Sequence, residues 1–241
     1  MIDFGIIAAG DGNRIKKEGS LLPKPLVKID NEPMIGRLIS LMENCGANSI
    51  SIIVNSDMPD VWEYLQGLVP NRKCELKMIS AKTPSSMHSF FHLLNLMQPE
   101  DKFVVTTVDT IFRGDDFKKY TDYFINATHD IDGVMGVTSY VDDEKPLYVE
   151  TDSENIITAF SDTPVVSSGN LSSTFVSAGI YGLRKNSIPI LQNCIDKGVN
   201  RMRNFQRKLV EEGLTLKAYN LGKVLDVDHL LDIEKANSFL A

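Results

Sequence analysis

The sequence predicts an α/β fold: a three-layer sandwich with a mostly parallel central sheet and a partly antiparallel insertion. Two observations predict it. Over the first two-thirds of the 241 residues, short apolar runs alternate with amphipathic stretches. Strands that are apolar on both faces and separated by helices imply a parallel sheet covered on both sides, joined by right-handed crossovers. Later, two short runs around Asp152-Ser153-Glu154-Asn155 read as a hairpin, which breaks that rhythm.

The elements follow in order. Residues 4–8 read as a buried strand and 10–12 as a turn. Residues 33–45 read as a helix, with Ile35, Leu38, Ile39 and Met42 on one face and Gly46 as its stop. Residues 50–54 form a second buried strand, and 59–68 a helix with Val61, Tyr64 and Leu65 inward. A short strand at 76–80, a helix at 87–97, an apolar strand at 103–108 and a helix at 115–127 continue the alternation. The hairpin arms are 147–151 and 156–160. A loop rich in Ser and Gly covers 165–173 and is expected to act as a flap. A long apolar strand spans 174–183. Helices at 188–196 and 204–212, short strands at 214–219 and 224–227, and a closing helix at 229–239 complete the chain. No linker or repeat divides it.

Hydrophobic residues make up 43% and charged residues 24% of the chain, an ordinary soluble composition. A chain of this length buries a large core without staples. The formal net charge of −7 argues against broad, sequence-independent nucleic-acid binding. It leaves room for a small anion in a local basic pocket. Cys45, Cys74 and Cys194 have neither zinc nor disulfide spacing and are expected as reduced thiols. No basic, apolar leader and no membrane-length run is present, so a cytoplasmic location without nucleic-acid or membrane partners is expected.

The sharpest signal is Ile6-Ile7-Ala8-Ala9-Gly10-Asp11-Gly12-Asn13-Arg14. Ligands of open α/β sheets sit beyond the carboxyl ends of strands, and this turn lies there. Small residues expose backbone N–H groups to an anion, and the Arg14 fork suits phosphate oxygens. Nine residues on, Lys24 stands between Pro23 and Pro25, whose fixed φ stiffens the backbone. Each feature alone also fits an ordinary turn, a solvated arginine or a loop lysine. Their convergence at the end of the first strand is what points to an anion site.

The segment 7–26 resembles the signature of sugar-nucleotide pyrophosphorylases and related nucleotidyltransferases: a strand, Ala-Ala-Gly-x-Gly-Thr-Arg, then Pro-Lys-Pro. Asn13 replaces the usual Thr. The resemblance implies a Rossmann-like, nucleotide-diphospho-sugar transferase-like fold in one nucleotidyltransferase domain, 1–241. Residues 1–135 would be the nucleotide-binding half, and 136–241 the acceptor-binding half with the closing helix. The left-handed β-helix that follows the catalytic domain in some relatives is not expected within these residues. It implies that Ala8, Ala9, Gly10, Asp11, Gly12, Asn13 and Arg14 wrap an NTP. Arg14 would hold its outer phosphates, and Lys24 would sit near the reacting α-phosphate. The partners would be an NTP and a sugar 1-phosphate, with a homo-oligomer compatible with the sequence.

Such chemistry brings two anions together and releases pyrophosphate, so it calls for Mg2+, which takes one or two carboxylates plus phosphate oxygens and water. Asp109 ends the run Val104-Val105-Thr106-Thr107-Val108. A carboxylate there is costly unless paired or bound to a cation, although it could also cap the next turn. The late segment 224–237 resembles the family's Asp-Ile-x-Thr-Pro-Glu-Asp-Leu…Ala-Asn, which makes Asp226 the expected second metal ligand. Asp228 is its rival, since a strand points both the same way, or else it caps the last helix.

On the acceptor side, Ser177-Ala178-Gly179-Ile180-Tyr181 resembles the family's Asn-Ala-Gly-Ile-Tyr strand, which contacts the sugar. Gly179 would let a hydroxylated ligand approach the backbone, or would serve packing in a plain core strand. Asp162 keeps the acid of a Glu-Lys-Pro segment, but Thr163 replaces its Lys. Lys145, Lys185, Arg201 and Arg203 are the candidate replacements. Ser85 and Ser86, in the place of a Gly-Thr-Ala segment, are expected either on base or ribose or at a helix start. His88, His92, His129 and His229 read as structural or solvated. Three functions are compatible with these residues: sugar 1-phosphate nucleotidyl transfer, cytidylyl transfer to another phosphorylated or acidic acceptor, and non-catalytic nucleotide sensing.

Overall fold

A computed structural model describes residues 2–142, 144–164 and 175–241. The first apolar run forms β1 (Ile2–Ala8), which lies between β4 (Ala47–Val54) and β6 (Lys102–Thr107), both parallel to it. Outside β4 runs β5 (Glu75–Ser80), again parallel. Beyond β6 the sheet continues through β11 (Phe175–Arg184), β8 (Gly133–Thr138) and β12 (Leu216–Asn220). In the order β5-β4-β1-β6-β11-β8-β12, only β11 runs against its neighbours.

The expected hairpin is β9 (Tyr148–Thr151) with β10 (Ile157–Ser161), and β9 joins the sheet at Phe175 and Val176 of β11. Its turn is closed by the Asp152 carboxylate, which accepts from the N–H groups of Glu154 and Ile156 at 2.9 Å each. Two ribbons complete the strands. One pairs β2 (Lys28–Ile29) with β3 (Glu32–Pro33), the other β7 (Thr110–Ile111) with β13 (Leu225–Asp226).

Alternation along the strands makes the three layers. Phe4, Ile6, Ile50, Ile52 and Val104 face one helical layer: α2 (Met34–Asn44), α3 (Pro59–Leu68), α5 (Gly114–Asn126) and α8 (Leu230–Leu240). Ile7, Ile53, Phe103 and Val105 face the other: α4 (Ser86–Met97), α6 (Ser187–Asp196) and α7 (Met202–Glu211). Phe90 of α4 ties that second layer together. Its ring lies 6.3 Å from both Phe103 and Tyr181 and 5.7 Å from Phe205.

The fold class agrees with the sequence, and so do the helix and strand types it assigned. Four strands had no sequence expectation: β8 in the main sheet and the two-residue strands β2, β3 and β7. The flap expected at 165–173 lies outside the described residues. No helix is long and apolar enough to cross a membrane among the described residues.

Candidate active site

At the carboxyl ends of β1 and β6 opens a cleft of about 430 Å³, within the size range of small-molecule sites. Ala8, Ala9, Gly10, Asp11, Gly12, Asn13, Arg14, Lys24, Ser85 and Ser86 all line it, together with Thr83, Ser89, Asp109 and Asp228. Every residue expected on the nucleotide side is therefore in one cavity.

The turn is built by two local devices. Gly12 adopts φ +59°, and a Cβ there would lie 2.9 Å from the Cβ of Lys24. Glycine takes this left-handed shape without strain and leaves room for the lysine segment to pack so close. After Gly12 the chain enters α1 (Asn13–Lys17), which carries Arg14. Pro23 and Pro25 hold residues 24–26 in a single tight helical turn, with the Lys24 side chain directed inward.

Lys24 is the centre of the charges. Its Nζ donates to Asp109 Oδ2 and to Asp228 Oδ1, at 2.6 Å each. Arg14 donates to the other oxygen of Asp228. Two cations and two carboxylates thus form a closed quartet with no net charge. Burial alone would depress the Lys24 ammonium, but Asp109 and then Asp228 outweigh it and hold it above the ordinary lysine value. Burial alone would raise Asp109, yet the Lys24 charge, its hydrogen bond and that of Thr107 keep it below the carboxylate range. Two carboxylates gathered on one cation are a donor set that fits a divalent ion completed by phosphate and water. No group of three or more His, Cys, Asp and Glu able to hold a metal occurs among the described residues.

The ribbon of β7 and β13 brings the distant acids together. Asp226 pairs with Thr110 in register, and the Val227 N–H donates to the Asp109 carbonyl at 3.1 Å. Of the two candidate second carboxylates, the rival Asp228 is the one that lines the cleft. Asp226 turns to Thr110 Oγ1, at 3.3 Å, and lines a separate depression of about 40 Å³. Asp228, past the end of the two-residue strand, reaches the cleft. Its N–H and that of His229 both donate to Asp232 Oδ2, at 3.1 and 2.8 Å, in the cap that starts α8. Asp226 remains near the cleft electrostatically. The buried Tyr181 hydroxyl is pushed upward by burial first, then by Asp226 and Asp109.

The acceptor-side residues lie elsewhere. Gly179 sits at φ +69° in a register break of β11, where a Cβ would meet Thr110 Oγ1 at 2.8 Å and Thr107 Oγ1 at 2.9 Å. The hydroxyls that approach this glycine belong to the protein itself, and they hydrogen-bond each other at 2.7 Å. Gly179→Ala is expected to cost about 1–3 kcal/mol, read as a lower midpoint in urea unfolding. Ser177 donates to Gln206 Oε1 at 3.0 Å and lines the same 40 Å³ depression as Asp226, which has room for about one water and not for a hexose. Asp162 is held by Arg203 and by Arg207, the latter at 2.7 Å, so Arg203 already has an anion.

Sequence reasoning missed Asn55. It is buried, donates to the Ala9 carbonyl at 3.2 Å and to Asp11 Oδ1 at 3.0 Å, and accepts from the Asp57 N–H at 2.9 Å. It fastens the glycine turn to the end of β4. A polar residue directly after a buried strand was the available signal, the same one that identified Asp109. His229, expected as structural or solvated, caps α8 and pairs with Glu18.

Residues 5–241 match the family model described as nucleotidyl transferase. Proteins described as "Bifunctional protein GlmU" are 25% identical over 239 residues in Methanococcus maripaludis and 23% identical over 245 residues in Methanocaldococcus jannaschii. These alignments cover 98% and 99% of this chain but 54% of each relative, so the chain spans about half their length. A putative glucose-1-phosphate thymidylyltransferase from Bacillus anthracis superposes with a TM-score of 0.81 at 19% identity, covering 99% of this chain and 95% of that one. The inositol-1-phosphate CTP transferase from T. maritima gives 0.76 at 18% identity, covering 100% and 98%. A CMP:2-keto-3-deoxy-manno-octonic acid synthetase complexed with CTP gives 0.74 at 17% identity, covering 99% and 97%. At these identities the structures establish the shared fold.

Proposed function

The chain belongs to the nucleotidyl transferase family, and from that membership and the cleft's geometry we propose that it transfers a nucleoside monophosphate from an NTP to a sugar 1-phosphate, releasing pyrophosphate and forming an NDP-sugar. One observation carries the proposal most. The glycine turn, Arg14 and Lys24 share a single cleft with the carboxylates Asp109 and Asp228.

The NTP lies along residues 8–14, with its triphosphate on the backbone N–H groups of the turn. Arg14 takes outer phosphate oxygens, and Lys24 takes oxygens at the α-phosphate. Ser85 and Ser86 face the base or ribose. Mg2+, held by Asp109 and Asp228, would neutralise charge on the phosphates and the departing pyrophosphate. An anionic phosphate oxygen of the acceptor bonds to the α-phosphorus as the bond to the β-phosphate oxygen breaks. Pyrophosphate leaves with that electron pair. The attacking oxygen carries no proton to remove, so no general base and no covalent enzyme intermediate are needed. Positioning and electrostatics by this chain supply the rate.

A second reading, cytidylyl transfer to another phosphorylated or acidic acceptor, is favoured by one observation. Asp162 is engaged by Arg203 and Arg207, so it does not stand free for a sugar. A pyrophosphate-release screen decides between them. Four NTPs are crossed with hexose 1-phosphates, inositol 1-phosphate and acidic sugars, with and without Mg2+. Release with a hexose 1-phosphate and Mg2+ is expected. Release only with CTP and the other acceptors would shift the assignment to the second reading. NTP binding without release under any acceptor would make the protein a sensor.

A further inference from the structure

We propose that Lys24 is the residue that makes metal entry conditional on nucleotide: its ammonium fills the cation position between Asp109 and Asp228, and a divalent ion reaches those carboxylates only when a triphosphate draws Lys24 away. This rests on the reading of the cleft as a metal–NTP site. The donor substrate is then the metal–triphosphate complex, and the protein does not wait as a metal-loaded enzyme.

The geometry carries this. The Lys24 nitrogen is 2.6 Å from an oxygen of each aspartate, so one cation already bridges the pair. The other oxygen of Asp228 is taken by Arg14. A divalent ion bound to the same oxygens at about 2.1 Å would share the space with an ammonium, and like charges so close repel strongly with little water between them. Lys24 is largely buried, and its ammonium is held by a carboxylate on either side. It can yield by changing partners. A triphosphate offers Lys24 and Arg14 oxygens of its own, and the two carboxylates are then released to the metal that arrives with it. The exchange pairs every charge before and after. Entry of the metal alone would strand two cations.

Mn2+ alone is the probe, with free ion counted by its electron paramagnetic resonance signal. Wild type is compared with Lys24→Met and Lys24→Gln, which remove the charge at similar length; either one suffices if the other fails to fold. Without nucleotide, each variant is expected to bind one Mn2+ at least about tenfold more tightly than wild type, the scale of losing one nearby like charge. The gain is expected to vanish when Asp228→Asn is added. With an α,β-methylene NTP present, wild type is expected to take up Mn2+ as well. Wild type binding Mn2+ alone as tightly as the variants overturns the proposal, as does a gain that survives Asp228→Asn. Failure of every NTP analogue to bind would refute the functional reading instead. The nucleotide-free comparison would still decide the role of Lys24.

Discussion

Asp109→Ala is expected to lower kcat by at least about 100-fold, equivalent to about 2.7 kcal/mol of transition-state stabilisation. The carboxylate stands at the end of the central strand β6, within reach of Lys24, and its removal leaves Asp228 as the sole acid of the pair. The change should fall on turnover more than on folding. Lys24 keeps Asp228 as a partner, so no cation is stranded, and the exposed part of the site limits what one ion pair adds to stability. A melting curve close to wild type with turnover collapsed is the expected combination. Turnover near wild type would remove Asp109 from the chemistry.

Lys24→Ala is expected to cost a similar factor in kcat, at least about 100-fold, and to do something to stability that Asp109→Ala does not. With the ammonium gone, Asp109 and Asp228 face each other with only Arg14 nearby. In wild type the Asp109 carboxyl titrates below its ordinary value. It therefore contributes stability above the unfolded carboxylate pKa and loses that contribution as pH falls through the folded one. Without Lys24 only hydrogen bonds from Thr107 and the backbone still oppose burial, the largest influence on this carboxyl, so its titration moves upward and the sign reverses. The variant should be destabilised most at neutral pH and approach wild type as the pH falls below the carboxylate range. Melting temperatures at a series of pH values measure this. A deficit that is constant across pH would show that Lys24 does not set the Asp109 charge.

Much of this was legible in the sequence because burial and chemistry leave different marks. Runs such as Ile50-Ser51-Ile52-Ile53-Val54 are apolar because both faces of an interior strand are covered, and the turn after β1 needs small residues to bare its amides. β8 was not legible because two glycines, Gly133 and Gly136, dilute it. A Cβ at either would come within 2.8 Å of β11, so close packing removed the side chains that announce a strand. That Asp228 and not Asp226 lines the cleft was hidden for a different reason. Alternation holds only while a strand lasts, and β13 stops at Asp226. Asp228 instead sits in the cap that starts α8, where Asp232, four residues further on, accepts from its N–H, a contact visible only once the fold is known. The acceptor side stayed obscure because Gly179 answers to Thr107 and Thr110, partners that no local pattern could name.

The tie between Arg14 and Asp228 spans 214 positions along the chain, and Glu18 reaches almost as far, to the N–H of Leu230 at 2.8 Å. Closing a loop of that length costs conformational entropy, and the cleft is complete only once both ends of the chain have met. A nucleotide that favours this finished state would stabilise it by mass action.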